Sequence, residues 1–97
     1  PMLNDQTRLT RAAAANTAEV GGDIIFLHEE DGVYYSLSDV GALVWKTLAT
    51  PRTFGDVVAA VLAEYEVSAA QAREDLEQLL DDLAAKDLVQ IDPPADR

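Results

Sequence analysis

The sequence predicts an α+β domain, and three observations predict it. Two short apolar runs joined by an Asp-Gly pair read as a hairpin of strands. Three amphipathic segments, two of them opened by a capping pair, follow as helices, and the connections between them are short. Strands grouped ahead of helices, rather than alternating with them, favour this class over a parallel α/β sheet.

Taken in order, residues 1 to 5 are expected to be a disordered N-terminus, and Pro1 ahead of Met2 reads as a residue left by tag removal. A strand is expected around Thr7 to Arg11, then an alanine run whose helical tendency Gly21-Gly22 would break. Asp23-Ile-Ile-Phe-Leu-His28 is rich in branched and aromatic residues and reads as a strand with both faces at least partly covered. Asp31-Gly32 supplies the turn, because glycine accepts the positive φ such turns require, and Val33-Tyr-Tyr-Ser-Leu37 is the antiparallel return strand.

Ser38 can cap a first helix running to about Thr50, where the residue before Pro51 is disfavoured in helical geometry. Its apolar stripe is Val40, Leu43, Val44, Trp45 and Leu48. Thr53 and Asp56 form a capping box for a second helix that buries Val57, Val58, Val61, Leu62 and Tyr65. Ser68 and Gln71 repeat the device for a third helix ending near Lys86, whose stripe Ala72, Leu76, Leu79, Leu80 and Leu83 is wide enough to meet more than one element. Leu88-Val-Gln-Ile91 is a short extended coda, and Asp92-Pro-Pro opens a tail expected to be disordered. The folded domain is therefore expected to span residues 6 to 91, with residues 92 to 97 as the tail. At 97 residues there is room for one core, and 48% apolar residues suffice to build it.

Composition narrows the function. A net charge of −11 repels a phosphate backbone, so nucleic acid is a poor partner. The acidic excess is concentrated in Glu64, Glu66, Glu74, Asp75, Glu77, Asp81, Asp82 and Asp87, which solubilise that face or steer a basic partner. Absence of cysteine removes thiolate chemistry and disulfides, and no apolar run has the length of a membrane span, so a cytoplasmic protein without membrane association is expected. His28 is the lone histidine, and the serines have no base to activate them. Glu74-Asp75 and Asp81-Asp82 diverge by about 100° on a helix and lack a calcium loop. Gly21-Gly22 lacks the further glycines and lysine of a phosphate-binding loop. The expectation is a non-catalytic protein with no cofactor and no metal.

The residue pattern that asks for an explanation is Val33, Tyr34, Tyr35, Ser36 and Leu37, a strand apolar on both faces in a small sheet. Either the first helix and the N-terminal strand cover it, or one edge stays open. Exposed edges are usually blunted by charge or proline, and this segment has neither. An open edge accepts an added strand, with main-chain hydrogen bonds giving generic affinity and side-chain pockets the choice of partner. The stripe on the third helix can supply such pockets.

Asp31-Gly-Val-Tyr-Tyr-Ser-Leu37, Val40-Gly-Ala-Leu-Val-Trp45, Ala59-Ala-Val-Leu-Ala-Glu-Tyr65-Glu-Val and Asp75-Leu-Glu-Gln-Leu-Leu-Asp-Asp-Leu83, in that order, resemble the PqqD-like family of recognition elements for ribosomally made, modified peptides. The likeness covers roughly residues 20 to 91 and is most similar to the stand-alone leader-binding proteins of lasso-peptide pathways. It implies a three-stranded antiparallel sheet on a winged helix-turn-helix-like bundle of three helices, with a leader peptide in the cleft between the third strand and third helix. Carried onto this sequence, the peptide-binding residues are Val33, Tyr34, Tyr35, Ser36 and Leu37 with Ala72, Arg73, Asp75, Leu76, Leu79, Leu80 and Leu83. The implied partners are the precursor's leader, carrying a tyrosine and a proline that enter an apolar pocket, a separate leader peptidase and an ATP-dependent cyclase. The chain departs from the family where Asp87 replaces a usual glycine after the third helix, and where Thr50-Pro51 lacks one after the first.

Three rival classes stay open on the residues alone. A winged-helix DNA binder needs a basic recognition helix, which Arg73 and Lys86 do not make. An acidic carrier protein needs an Asp-Ser-Leu type attachment site at a helix start, whereas Ser36-Leu37 follows Tyr35 in a strand. A homodimerisation module would pair the open edge with its own copy.

Overall fold

The computed structural model describes residues 3–12, 17–28 and 31–92. Its elements are β1 (Arg8–Arg11), β2 (Thr17–Val20), β3 (Asp23–His28), β4 (Val33–Leu37), α1 (Val40–Thr47), β5 (Arg52–Thr53), α2 (Phe54–Glu64), α3 (Ala69–Ala85) and β6 (Val89–Asp92). The α+β class and the three helices stand as expected. The strands, however, divide into two three-stranded antiparallel sheets, ordered β2-β3-β4 and β5-β1-β6.

The expected hairpin is β3 and β4, with Ile24 opposite Leu37 and Phe26 opposite Tyr35. Gly32, at φ 67°, takes the left-handed conformation for which a glycine was needed. The sequence reading assigned no strand to Thr17–Val20, yet β2 completes this sheet, running from Thr17 opposite Phe26 to Val20 opposite Asp23. Gly21 and Gly22, read as a helix breaker, are the two-residue turn between β2 and β3. Both have positive φ, which two-residue hairpins favour because it matches the twist of the strands. Ala13 to Ala15 of the alanine run, with Asn16, and the turn residues Glu29-Glu30 lie outside the described residues.

The N-terminal strand does exist, but as the centre of the second sheet. Leu9 pairs with Arg52 on one side and with Ile91 on the other, and its side chain is fully buried. Residues 3 to 5, assigned to the disordered N-terminus, pack on α3: the Leu3 amide donates to Glu77 Oε2 at 2.9 Å and Asp5 pairs with Arg73. Asp92, assigned to the tail, ends β6, while residues 1–2 and 93–97 lie outside the described residues.

Local chemistry explains the helices. Thr53 and Asp56 form the reciprocal box expected for α2. At α3 only half of the expected device forms: Ser68 Oγ accepts from the Gln71 amide, but the Gln71 side chain turns forward to Asp75 at 2.9 Å. Ser68 thus acts alone, as a simple N-cap. Ser38 does not cap α1 with its side chain. Asp39 occupies the cap at φ 51°, ψ −117°, the Ser38 carbonyl accepts from Gly41, and α1 stops at Thr47, before the Thr50-Pro51 step.

The core gathers the helix-facing side chains Ile24 and Phe26 of β3, Val44, Trp45 and Leu48 around α1, Phe54, Val57 and Val61 of α2, and Leu76, Leu80 and Leu83 of α3. Leu62 and Tyr65, expected in this core, are exposed. Leu62 stands about 100° around α2 from Val61, and Tyr65 lies past the helix end in extended backbone. No helix among the described residues is long and apolar enough to cross a membrane.

Candidate functional site

Because β4 ends the order β2-β3-β4, no strand among the described residues pairs with its outer edge. Successive residues of an antiparallel strand direct their N–H and C=O groups to opposite edges, so alternate positions between Val33 and Leu37 present main-chain groups outward. Directly opposed residues share a face. Tyr35 and Leu37 therefore lie on the helix side with Phe26 and Ile24, while Tyr34 and Ser36 project away, Tyr34 being 70% exposed.

Two ring contacts hold Tyr35 of β4, one within the sheet and one to the end of α3. Tyr35 stacks on Phe26 with ring centroids 5.5 Å apart, and Lys86 Nζ, just beyond α3, lies 5.0 Å from the Tyr35 ring centre. Desolvation first, and then a 3.2 Å hydrogen bond donated to Asp31 Oδ2 together with that carboxylate's charge, hold the Tyr35 phenol above its ordinary pKa. At the other end of the strand, α1 packs so closely that a Cβ built on Gly41 would stand 3.3 Å from Leu37 Cδ2.

Where β4 ends, a groove of about 530 Å³ begins. Ser38, Asp39, Val40 and Gly41 form one wall, Val61, Tyr65, Glu66 and Val67 the next, and Ala72, Asp75, Leu76 and Leu79 of α3 the third. Its volume is in the range of small-ligand and side-chain pockets, and its floor is apolar.

The expected site residues separate accordingly. Val33 to Leu37 form the strand whose outer edge pairs with no strand among the described residues, and Ala72, Asp75, Leu76 and Leu79 line the groove. Arg73, Leu80 and Leu83 do not come to it. Leu80 and Leu83 are buried in the core, on the part of the stripe turned from the groove, α3 packing against α2 and β6, and Arg73 pairs with Asp5 while lying over the Phe54 ring. Sequence reasoning did not place Ser38, Asp39, Val40, Gly41, Val61, Tyr65, Glu66 and Val67 at the groove, since a groove built from three separated segments leaves no mark in the spacing of any one of them. Among the described residues, no group of three His, Asp or Glu side chains could hold a metal ion.

Comparison with curated proteins gives no match. Among solved structures the chain is similar to TbiB1, determined in complex with the TbiA(beta) leader peptide, at 29% identity and a TM-score of 0.73, over 84% of this chain and 94% of that one. The model of coenzyme PQQ synthesis protein D, PqqD, matches residues 23–89, from β3 through α3 to the first residue of β6, and the chain belongs to the PqqD family.

Proposed function

We propose that the protein captures the leader segment of a ribosomally synthesised precursor peptide by adding it as a strand to the free edge of β4 and seating its apolar side chains in the groove beside α3. The observation that carries this reading is the juxtaposition of an uncharged strand edge, which no strand among the described residues pairs with, and an apolar groove that opens where the strand ends. Main-chain pairing to β4 supplies affinity for any extended segment, and the groove selects among segments. The leader-bound state of the structurally similar TbiB1 supports the same use of the fold.

In this reading the chain is an adaptor of lasso-peptide maturation, acting in the cytoplasm. It does no bond chemistry itself and presents the leader to a separate peptidase and an ATP-dependent cyclase. Val33, Tyr34, Tyr35, Ser36 and Leu37 make the strand contacts, with Ala72, Asp75, Leu76 and Leu79 receiving the anchor. Amide NMR titration with a synthetic lasso-type leader tests it, beside a control in which the leader's tyrosine and proline are alanine. Shifts along β4 and around the groove, lost with the control, are the expected result. Saturating shifts elsewhere, or none with several leaders, would refute it, and a concentration-dependent increase in sedimentation coefficient without peptide would assign the β4 edge to self-pairing instead.

A further inference from the structure

The groove is not uniformly apolar. Its floor is Val61, Ala72, Leu76 and Leu79, but each wall contributes a carboxylate: Asp39 at the start of α1, Glu66 in the α2–α3 connection, and Asp75 on α3. Among the described residues, no lysine, arginine or histidine lines it. The side-chain ion pairs formed among the described residues, Lys46 with Glu19 and Arg73 with Asp5, lie elsewhere. Asp75 Oδ1 accepts from Gln71 Nε2, a neutral donor that leaves its negative charge in place.

We propose that the peptide segment seated in this groove carries a lysine or arginine beside its apolar anchor, and that Asp39, Glu66 and Asp75 receive it. The inference rests on the peptide-capture reading and adds a specificity element to it. The fit is one of shape and charge. A long cationic side chain packs its methylene stem on an apolar floor while its charged head reaches the rim. Three carboxylates around one opening repel an acidic side chain and attract a basic one, and this attraction strengthens when the bound peptide excludes water from the groove. The acidic balance of the whole chain, −11, steers the same kind of segment toward the protein.

The test is selection of a displayed library of random extended peptides, run in parallel on the intact protein and on a variant combining Asp39→Asn, Glu66→Gln and Asp75→Asn. Winning peptides are then resynthesised with norleucine in place of each lysine. A basic residue enriched at a fixed offset from an apolar anchor on the intact protein but not on the variant is expected. Its replacement by norleucine should weaken binding by about fivefold to tenfold at about 0.05 M NaCl, and by less than about twofold at about 0.5 M NaCl or on the variant. The same apolar consensus on both proteins, with no basic position, would overturn the proposal and leave peptide capture standing. No enrichment on either folded protein would remove peptide capture itself, and the proposal with it.

Discussion

Adjacent leucines on α3 have opposite duties. Leu79 is half-buried and lines the groove, whereas Leu80 is 0% exposed at the centre of the core. Leu79→Ala should therefore weaken leader binding by about 2 kcal/mol, roughly 30-fold, with little change in melting temperature. Leu80→Ala should cost about 2–5 kcal/mol of stability, while the molecules that remain folded bind normally. Thermal melts paired with fluorescence anisotropy separate the two, and undiminished affinity in Leu79→Ala would place the anchor elsewhere. Aspartate at Leu76 cannot serve the same purpose, because a side chain 1% exposed would bury an unpaired charge and unfold the protein. A second residue-scale contrast involves Asp39 at φ 51° and Asp87 at φ 59°. Asp87 ends α3 in a Schellman motif, its amide donating to Ala84 and that of Leu88 to Leu83, each at 3.0 Å. Glycine there relieves the left-handed backbone, so Asp87→Gly should gain about 1 kcal/mol, a rise of about 4–8 °C in Tm, with binding unchanged. Asp39→Gly should gain stability for the same reason yet lose preference for a basic peptide, since it removes a rim carboxylate. Scanning calorimetry and peptide titration on the same two variants decide both points.

At the scale of an element, β4 has one edge given to β3 and one that no strand among the described residues pairs with, and proline reads the difference because it lacks the N–H that pairing needs. The Val33 amide already donates to Asp31 Oδ1 at 3.1 Å, so the scan runs from Tyr34 to Leu37, and it should unfold the hairpin where the N–H points to β3. At the alternate, outward positions it should leave the circular dichroism spectrum intact but abolish leader binding. Folded proline variants that keep wild-type affinity would exclude strand addition. This strand was legible in the sequence because it contains its own signal: an Asp-Gly turn before it and an apolar run without a charge to blunt its edge. The Thr53 and Asp56 box was legible for the same reason, as both halves of the device lie within one turn. β2 was not: Thr-Ala-Glu-Val alternates and holds two β-branched residues, but four residues beside an alanine run are too short to stand out, and it is a strand because β3 pairs with it. The groove was half legible. The α3 stripe was visible, but a helical stripe alone does not separate Leu79 from Leu80, and only the packing of α2 and β6 on α3 decides which of them reaches solvent.

Across the whole molecule, the second sheet joins what the sequence separates most widely. β1 lies ahead of the family-matched region 23–89, yet it is the strand that β5 and β6 share. The Thr7 carbonyl accepts from the Phe54 amide at 2.8 Å and that of Asp5 from Gly55 at 3.2 Å, so the N-terminal segment satisfies two donors at the start of α2, which helix geometry leaves without partners. Arg11 donates to the Trp45 carbonyl and lies 4.4 Å over the Trp45 ring, tying β1 to α1. Deleting residues 1–11 removes the fully buried Leu9, strips β5 and β6 of their common partner and uncovers the helix side of the core. Loss of Leu9 alone should cost about 2–5 kcal/mol by the usual cavity cost, against the about 5–15 kcal/mol of total stability typical of a small domain. The truncated chain should therefore be unfolded or molten at 37 °C, with collapsed amide dispersion in its NMR spectrum, although it retains every residue matched to the family. A Leu9→Ala chain of full length should stay folded with a lowered Tm and normal leader affinity, because β1 lies in the sheet that does not contain β4. A truncated chain with native dispersion and full binding would show instead that the sheet of β2, β3 and β4 stands on the helices without help from the other.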